Sequence, residues 1–353
     1  MSDQNRWRLD WPVPAPGRIA RAVLKVSPAT FFVDEDLGLP GFPGDIATLD
    51  AIPLGGDGEH LCLRLEKRGD NTDYVARELA ALAGCRHHDV GYCGLKDRHA
   101  VTRQWFSLYR PGQEEGDREL IERISQRWTV LAGHRHARKL RRGDHQGNAF
   151  VITLTGIEGD QGAIDSALAQ VRALGCPNYF GPQRFGHEGG NLDRAIAMDP
   201  RRSRSRGRRG QSAQNRDGLY FSAARSWLFN EVLAARVEQG SWLDVMAGEP
   251  DPDMATGPLW GDGGTVATEA QEILEREVVA GHPEMEKVFA STRMKPERRP
   301  LKLMPKELSW QWNDDDSLTL RFALLPGQFA TAVIGSVFRL YGAGGDSGVA
   351  EDR

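Results

Sequence analysis

Four segments of the chain alternate apolar and polar residues, and this alternation is the pattern that most restricts the fold. Successive side chains of a strand point to opposite faces, so the pattern predicts sheets with one buried and one solvated face. Sheets of that kind favour antiparallel pairing. The four segments are 59–65, 104–109, 149–154 and 318–323.

Helical periodicity appears between these strands. Segments 71–84 and 160–175 each contain a polar capping residue, apolar residues at helical spacing and a terminal glycine. We expect Thr72 to cap the first of these helices, and two further helices at 222–240 and 268–281. Helices and alternating strands in this irregular order predict the α+β class rather than a doubly wound parallel sheet.

The distribution of the strand pattern predicts how the chain divides into domains. Its 353 residues are enough for about two domains. The strand pattern is lost in a Gly-, Arg- and Asn-rich segment and a helical one, and it returns only near residue 308. We therefore expect a core domain from 1–174 and 306–353, with an inserted domain at 175–305. The last strand would then rejoin the first sheet.

Charge is unevenly distributed along the chain. The 45 basic and 49 acidic residues give a net charge of −4, which alone argues weakly against a nucleic-acid partner. One basic run is about as often a solvated loop as a binding surface, but two runs favour a polyanionic partner. The basic residues of the two runs are Arg135, Arg138, Lys139, Arg141, Arg142, Arg201, Arg202, Arg204, Arg206, Arg208 and Arg209.

Several classes of protein are disfavoured by what the sequence lacks. No segment approaches the ~18 apolar residues of a membrane helix, and the first residues do not resemble a signal peptide. The four cysteines lack metal or redox spacing, and no phosphate-binding or dinucleotide motif appears. We therefore expect a cytoplasmic protein that uses no metal or cofactor, with monomer as the default state.

The segment around Asp97 has two readings. "LKDRHAV" connects a short strand to the strand "TRQWFSLY", and it places Asp97 between Lys96 and Arg98. Neighbouring cations favour the ionised carboxylate, and an ionised aspartate on a loop can act as a nucleophile. A charged triplet after a glycine is more often an ordinary solvated turn. The local pattern alone leaves both readings open.

Five other residues are candidates for binding a nucleoside. The amide of Asn148 matches the edge of a pyrimidine, and Phe150 lies on the same strand face. Phe31 and Phe329 have rings that can stack on a base, and Lys25 can contact a phosphate. Aromatic residues of this kind more often pack in the core, and an asparagine at this position is about as often a turn residue.

The segment "GYCGLKDRHAVTRQWFSL" resembles the signature of the TruD family of tRNA pseudouridine synthases, in which Gly-x-Lys-Asp precedes His-Ala-Val-Thr and a Gln-Trp strand. Segments similar to those of the family occur in the same order from about residue 18 to 338, including "KLRRGDHQGNAF" and "PNYFGPQRFG". Two positions depart from the family pattern: Pro326 directly precedes Gly327, and Gly335-Ser336 replaces an Arg-Glu pair.

The resemblance implies a fold and a reaction. The fold is a pseudouridine-synthase catalytic core with a mixed, largely antiparallel sheet, interrupted by a family-specific α/β insertion. The reaction isomerises uridine to pseudouridine without a cofactor, at position 13 of certain tRNAs. Asp97 would be the catalytic residue, attacking or deprotonating the sugar. Substrate contacts are implied at Phe31, Asn148 and Phe329, and further pocket positions at Phe150 and Lys25.

The resemblance also implies how the RNA is held. The target base must leave its stack to reach the carboxylate, so a folded RNA and basic contacts to its backbone are expected. The arginines at 135–142 and 201–209 would make those contacts. Two other functions remain open. A glycosidase-like enzyme would release free uracil, and a non-catalytic RNA-binding module would not need Asp97.

Overall fold

The computed structural model of the chain describes residues 6–42, 54–198, 211–290 and 292–342. Its strands are β1 (Ala20–Leu24), β2 (Phe31–Asp36), β3 (His60–Arg68), β4 (Gly91–Tyr92), β5 (Val101–Tyr109), β6 (Thr129–His136), β7 (Gly147–Glu158), β8 (Cys176–Pro177), β9 (Thr256–Leu259), β10 (Glu297–Pro300), β11 (Lys302–Leu303), β12 (Lys306–Trp312), β13 (Leu318–Leu324) and β14 (Phe338–Gly342).

Helices lie between these strands. They are α1 (Thr72–Ala83), α2 (Asp117–Ser125), α3 (Gln161–Leu174), α4 (Gly190–Ile196), α5 (Gln211–Glu238), α6 (Glu269–Ala280), α7 (Pro283–Lys287) and α8 (Ala330–Ile334). Among the described residues, no helix combines the length and apolar character needed to cross a bilayer.

One large sheet organises the molecule. Its main path runs β12, β13, β7, β2, β5, β3 and β6, with β1 beside β7, β14 beside β1, and β4 beside β5. The pairs β2–β5 and β1–β14 are parallel, and the other neighbours in this sheet are antiparallel. The mixed, largely antiparallel sheet and the α+β class are therefore confirmed.

The central parallel pair fixes where two loops meet. In β2 and β5, Phe32 is aligned with Val101, so the segments that enter the two strands lie at the same sheet edge. Lys25 precedes β2 and Asp97 precedes β5. Parallel pairing therefore brings these two residues, far apart in sequence, to one edge of the sheet.

The strands after residue 305 return to this sheet, as the sequence predicts. β13 pairs with β7 from Leu318–Leu154 to Leu324–Asn148, and β14 pairs with β1. Elements of the middle segment, residues 175–305, pack around a separate apolar cluster, which also holds Trp7 and Trp11 from the N-terminal segment. The domain boundaries themselves stay a prediction.

Local signals at two helix ends have different outcomes. Asn71, not Thr72, caps α1, because its side-chain oxygen accepts from the Tyr74 backbone N–H at 2.7 Å. Thr72 is the first helical residue. Asp160 caps α3 as the pattern indicates, since its side chain accepts from the Ala163 N–H at 2.8 Å.

Strand β3 differs from the predicted half-solvated pattern. Leu61, Leu63 and Leu65 pack with the apolar residues of α1 and α2. Cys62, on the opposite face, packs with Trp105 and other apolar residues in a second cluster. The helices α1 and α2 cover one face of β3, and loops cover the other. Alternation in the sequence does not reveal the second covering layer.

A buried ion-pair network holds β6 to α2. Asp117 is 3% exposed and accepts from Arg110 Nε at 3.0 Å and from Arg135 Nε at 2.7 Å. Asp117→Ala would leave two buried cations without their carboxylate. We expect the free energy of unfolding to fall by about 3–5 kcal/mol, measured by urea denaturation.

Glu114→Ala is the matched control, because Glu114 contacts the same Arg135 at 3.1 Å but its side chain is 59% exposed. Exposed ion pairs contribute little to stability. A control that destabilises the protein as much as Asp117→Ala would show that burial is not what makes the network important.

Candidate active site

Asp97 forms an ion pair with Lys25 at the edge of the sheet where β2 and β5 begin. Its second carboxylate oxygen accepts from the backbone N–H of His99 at 2.9 Å. The side chains of Asp97 and Lys25 are 19% and 26% exposed, so the pair is partly desolvated but reachable from solvent. The carboxylate is therefore held in a fixed orientation without being enclosed.

Opposing influences set the pKa of Asp97. Burial alone raises it, because a desolvated carboxylate is harder to ionise. The charge of Lys25, its hydrogen bond and the His99 N–H together outweigh burial and leave the pKa below its usual value. Asp97 is consequently ionised at neutral pH.

Lys25 connects the carboxylate to an aromatic wall. Its Nζ lies 4.5 Å from the centre of the Phe31 ring, within cation–π range. Its φ of 61° is left-handed, a conformation uncommon for a residue other than glycine. The sequence suggested a phosphate contact for Lys25, and that role stays a prediction. The described partner of its ammonium is Asp97.

The aromatic wall continues into the core. The rings of Phe31 and Phe150 meet edge to face at 6.3 Å, and Phe150 stacks on Phe322 at 5.4 Å. Phe31 and Phe150 are 6% and 9% exposed. Both rings are therefore held by core packing, and only a small part of each is available to a ligand.

A second, buried ion pair anchors the loop that carries Asp97. Lys96, expected to hold the charge of Asp97, instead donates to Glu35, whose side chain is fully buried. Glu35 also accepts from the Trp105 N–H at 3.2 Å, and the Lys96 N–H donates to Thr72 Oγ1 at 2.9 Å. The position of Lys96 next to Asp97 in sequence did not reveal that it points to β2.

Asn148 and His145 form a polar pair beside this loop. The Asn148 amide donates to His145 Nε2 at 3.3 Å, and in β2 Glu35 is the residue opposite Asn148. Asn148 Oδ1 and His145 Nδ1 are buried and have no hydrogen-bond partner among the described residues. Burial lowers the pKa of His145, which keeps the ring neutral. A buried unpaired amide oxygen is a ready acceptor for a ligand N–H.

Phe329 lies apart from the Phe31–Phe150 wall. Its ring contacts Phe180 at 5.8 Å, in the apolar cluster of the middle segment. It is the residue before α8, just after the turn that follows β13. The structure thus places this predicted substrate contact where the middle segment meets the sheet.

The first basic run divides into two parts. Residues 137–145, the basic loop, pack against the segment before Asp97, since Gly143 N–H donates to Cys93 O at 2.9 Å. Arg138, Arg141 and Arg142 are exposed there. Arg135 is different, because it is buried against Asp117 and supports the fold.

Three further basic residues belong to this site prediction. Lys139, also in the basic loop, donates to the carbonyl of His88. Arg201 and Arg202, like the rest of the second basic run, lie outside the described residues. An RNA-binding role for Arg138, Lys139, Arg141, Arg142, Arg201 and Arg202 stays a prediction.

Comparison with known proteins identifies relatives over nearly the whole chain. The family model described as tRNA pseudouridine synthase D (TruD) matches residues 19–193. A tRNA pseudouridine synthase D of Marinobacter nauticus is 58% identical over 343 residues, covering 96% of this chain and 97% of the relative. One from Pseudomonas entomophila is 41% identical, covering 92% and 94%.

A solved structure has the same fold. It is the crystal structure of a protein from Methanosarcina mazei described as a candidate tRNA pseudouridine synthase D. Its TM-score is 0.62 at 18% identity, and the match covers 94% of this chain and 96% of that chain. At this identity the likeness shows the fold alone.

The electrostatics of the site give a prediction for Lys25. In Lys25→Met, the charge and hydrogen bond of Lys25 no longer oppose the burial of Asp97, so we expect its pKa to rise. In Lys25→Arg, which keeps the charge, the pKa should stay below its usual value. Carbon-detected NMR titration of the Asp97 carboxyl measures both, and an unchanged pKa in Lys25→Met would contradict this account.

The same substitution has a consequence for stability. The folded pKa of Asp97 lies below its unfolded value, so its ionisation stabilises the fold above the unfolded pKa. This contribution is lost as pH falls through the folded pKa. In Lys25→Met the contribution should be smaller at neutral pH and should disappear at higher pH than in the wild type.

Proposed function

We propose that this chain, which belongs to the TruD family of tRNA pseudouridine synthases, isomerises a tRNA uridine to pseudouridine with Asp97 as its catalytic residue. The observation that carries the assignment to Asp97 is its charge state and position. Asp97 is an ionised, partly exposed carboxylate, oriented by Lys25 and the His99 N–H. A reaction at the ribose needs such an oxygen close to C1′.

The reaction exchanges one bond between base and sugar for another. The N1–C1′ bond breaks, the uracil turns, a C5–C1′ bond forms, and overall one proton moves from C5 to N1. The carboxylate of Asp97 either attacks C1′, to be released when C5 takes its place, or removes a proton from the sugar. Both routes start from the ionised form and return Asp97 unchanged, so the balance requires no redox cofactor.

The surroundings of Asp97 suit a detached uracil. The edge of Phe31 offers an apolar wall, and Asn148 Oδ1 is a buried acceptor that can receive a uracil N–H. The neutral His145 accepts from Asn148 Nδ2 and so keeps the Asn148 amide group oriented. Holding the base between fixed groups would keep it in place while it turns.

We take tRNA uridine 13 as the substrate position, which the family resemblance implies. A base within the folded RNA must be extruded to reach Asp97. The basic loop packs against the segment that precedes Asp97. From there it can contact the phosphates around the extruded nucleotide. A monomer acting in the cytoplasm fits this proposal.

Substitution of Asp97 tests the proposal. With Asp97→Asn or Asp97→Ala, we expect the single-turnover rate on a tRNA transcript to fall by roughly 10⁴-fold or more, as when a nucleophile is removed. Carbodiimide labelling and primer extension locate the pseudouridine. Asp73→Asn is the control, because Asp73 is a half-exposed aspartate on the first turn of α1.

The outcomes separate the alternatives. No pseudouridine with the wild-type protein would remove the isomerase proposal, and free uracil in its place would favour a nucleoside-cleaving enzyme. Full activity in Asp97→Ala would remove the assignment of Asp97 alone. A shift of the labelled position away from uridine 13 would correct only the substrate position.

The basic loop gives a separate prediction. The triple variant Arg138→Gln, Arg141→Gln, Arg142→Gln should bind tRNA more weakly and with a shallower dependence on salt. Each lost phosphate contact lowers the slope of log K against log salt by about 0.7–0.9. Filter binding across a salt series measures this slope. An unchanged slope would show that the loop does not touch the RNA.

A further inference from the structure

Two arginines share one aromatic ring in the middle segment. The guanidinium carbons of Arg184 and Arg299 lie 5.5 Å and 4.1 Å from the centre of the Phe180 ring. Arg299 also lies 5.5 Å from the Phe229 ring. Stacking on these rings restricts the planes of the two guanidinium groups. We call Arg184 and Arg299 the arginine pair.

The arginine pair has only neutral partners among the described residues. Arg299 donates to Asn178 Oδ1 at 2.6 Å, and Arg184 donates to Ser222 Oγ at 2.5 Å. The Nε atoms of both arginines are buried and have no hydrogen-bond partner within the described part of the chain. No carboxylate in that part forms an ion pair with either guanidinium.

The adjacent Arg298 provides a comparison, because it lies in the same strand and is paired with carboxylates of the protein. Its guanidinium contacts Glu275 at 2.6 Å and Glu249 at 2.9 Å, and both carboxylates are fully buried. Arg298 is therefore neutralised within the fold. Arg299, one residue later in β10, has no such counter-charge among the residues that the structure describes, so no ion pair within that part of the chain explains its burial.

Two like charges in a partly desolvated site favour an external anion. Burial, together with repulsion from Arg184, lowers the pKa of Arg299 to about 10, and burial also lowers the pKa of Arg184. At neutral pH both remain charged. An anion that accepts hydrogen bonds from both planar groups would offset the desolvation, and phosphate esters have this geometry.

The arginine pair is linked to the proposed uridine site through the turn that follows β13. A Cβ placed on Gly327 would lie 3.7 Å from Arg299 Nη1, and Phe329 packs on the Phe180 ring that the pair shares. Gly327 and Phe329 belong to the segment that leaves the end of β13, where Leu324 is opposite Asn148. One short turn therefore connects the two places.

We propose that Arg184 and Arg299 together bind one backbone phosphate of the RNA strand that carries the target uridine. The inference rests on the proposed function, since RNA is the polyanion that this enzyme must bind. It differs from the basic loop in burial: the loop offers exposed charges that attract RNA, whereas the pair offers two fixed forks that position a single linkage.

Binding of tRNA to the full chain in an Asp97→Asn background tests the proposal without turnover. The double variant Arg184→Gln, Arg299→Gln should bind roughly tenfold more weakly, with a salt slope reduced by about 1. Arg276→Gln is the matched control, because Arg276 lies 6.0 Å from the Trp260 ring but is paired with Glu272 at 2.7 Å. Its slope should not change.

Neutral methylphosphonate linkages placed singly around the target uridine identify the phosphate. At one position, the neutral linkage should weaken the binding of RNA to protein that has the arginine pair. The same linkage should not change the binding of RNA to the double variant. An unchanged salt slope in the double variant would overturn the proposal. So would weaker binding by the double variant if no single neutral linkage loses its effect in that variant. If the double glutamine variant melts early, Arg184→Lys, Arg299→Lys serves instead. Because it keeps both charges and loses the forks, the linkage experiment rather than the salt slope then decides.

The rate of pseudouridine formation by the wild-type protein distinguishes failure of this inference from failure of the proposed function. Wild-type protein that makes pseudouridine, combined with an unchanged slope in the double variant, would overturn the phosphate site alone. Wild-type protein that makes none would overturn the proposed function, and the linkage experiment would then still decide whether the arginine pair binds a phosphate.

Discussion

The charge of Asp97 depends on Lys25, and much of the site follows from that ion pair. A half-buried carboxylate without a cation would tend to take up a proton, and a protonated acid could not start either of the proposed routes at the ribose. Lys25 reaches Asp97 because β2 and β5 are parallel, which places the two entering segments at one sheet edge. The chemistry of the site therefore rests on one strand pairing at the centre of the sheet.

The groups around this ion pair are fixed by interactions that differ in strength and in kind. Lys96 and Glu35 anchor the loop from within the protein, and core packing holds Phe31. Among the described residues, the Asn148 side-chain oxygen has no hydrogen-bond partner although its amide nitrogen donates to His145. A rigid apolar wall beside such an acceptor suits the proposed ligand, a base that must be held while it turns, because few groups have to reorganise when it binds.

Among the described residues, arginines occur in three kinds of surroundings, and their partners distinguish them better than sequence does. Arg135 and Arg298 are neutralised by buried carboxylates and support the fold. The arginines of the basic loop are exposed, and Arg184 and Arg299 are partly buried without a counter-charge in the described residues. Arg135 shows the limit of reading charge runs, since it stands in a basic run and yet lies against Asp117.

Local sequence patterns predict four strands of the large sheet and the cap at Asp160, and the family resemblance predicts Asp97 as the catalytic residue. These rest on local periodicity, on a local hydrogen bond and on one contiguous segment. Only the tertiary structure shows that Lys25 rather than Lys96 pairs with Asp97, that both faces of β3 are covered, and that Arg299 has no carboxylate partner among the described residues. Those features depend on which segments meet across strand pairings and domain contacts, and spacing along one chain does not contain that information.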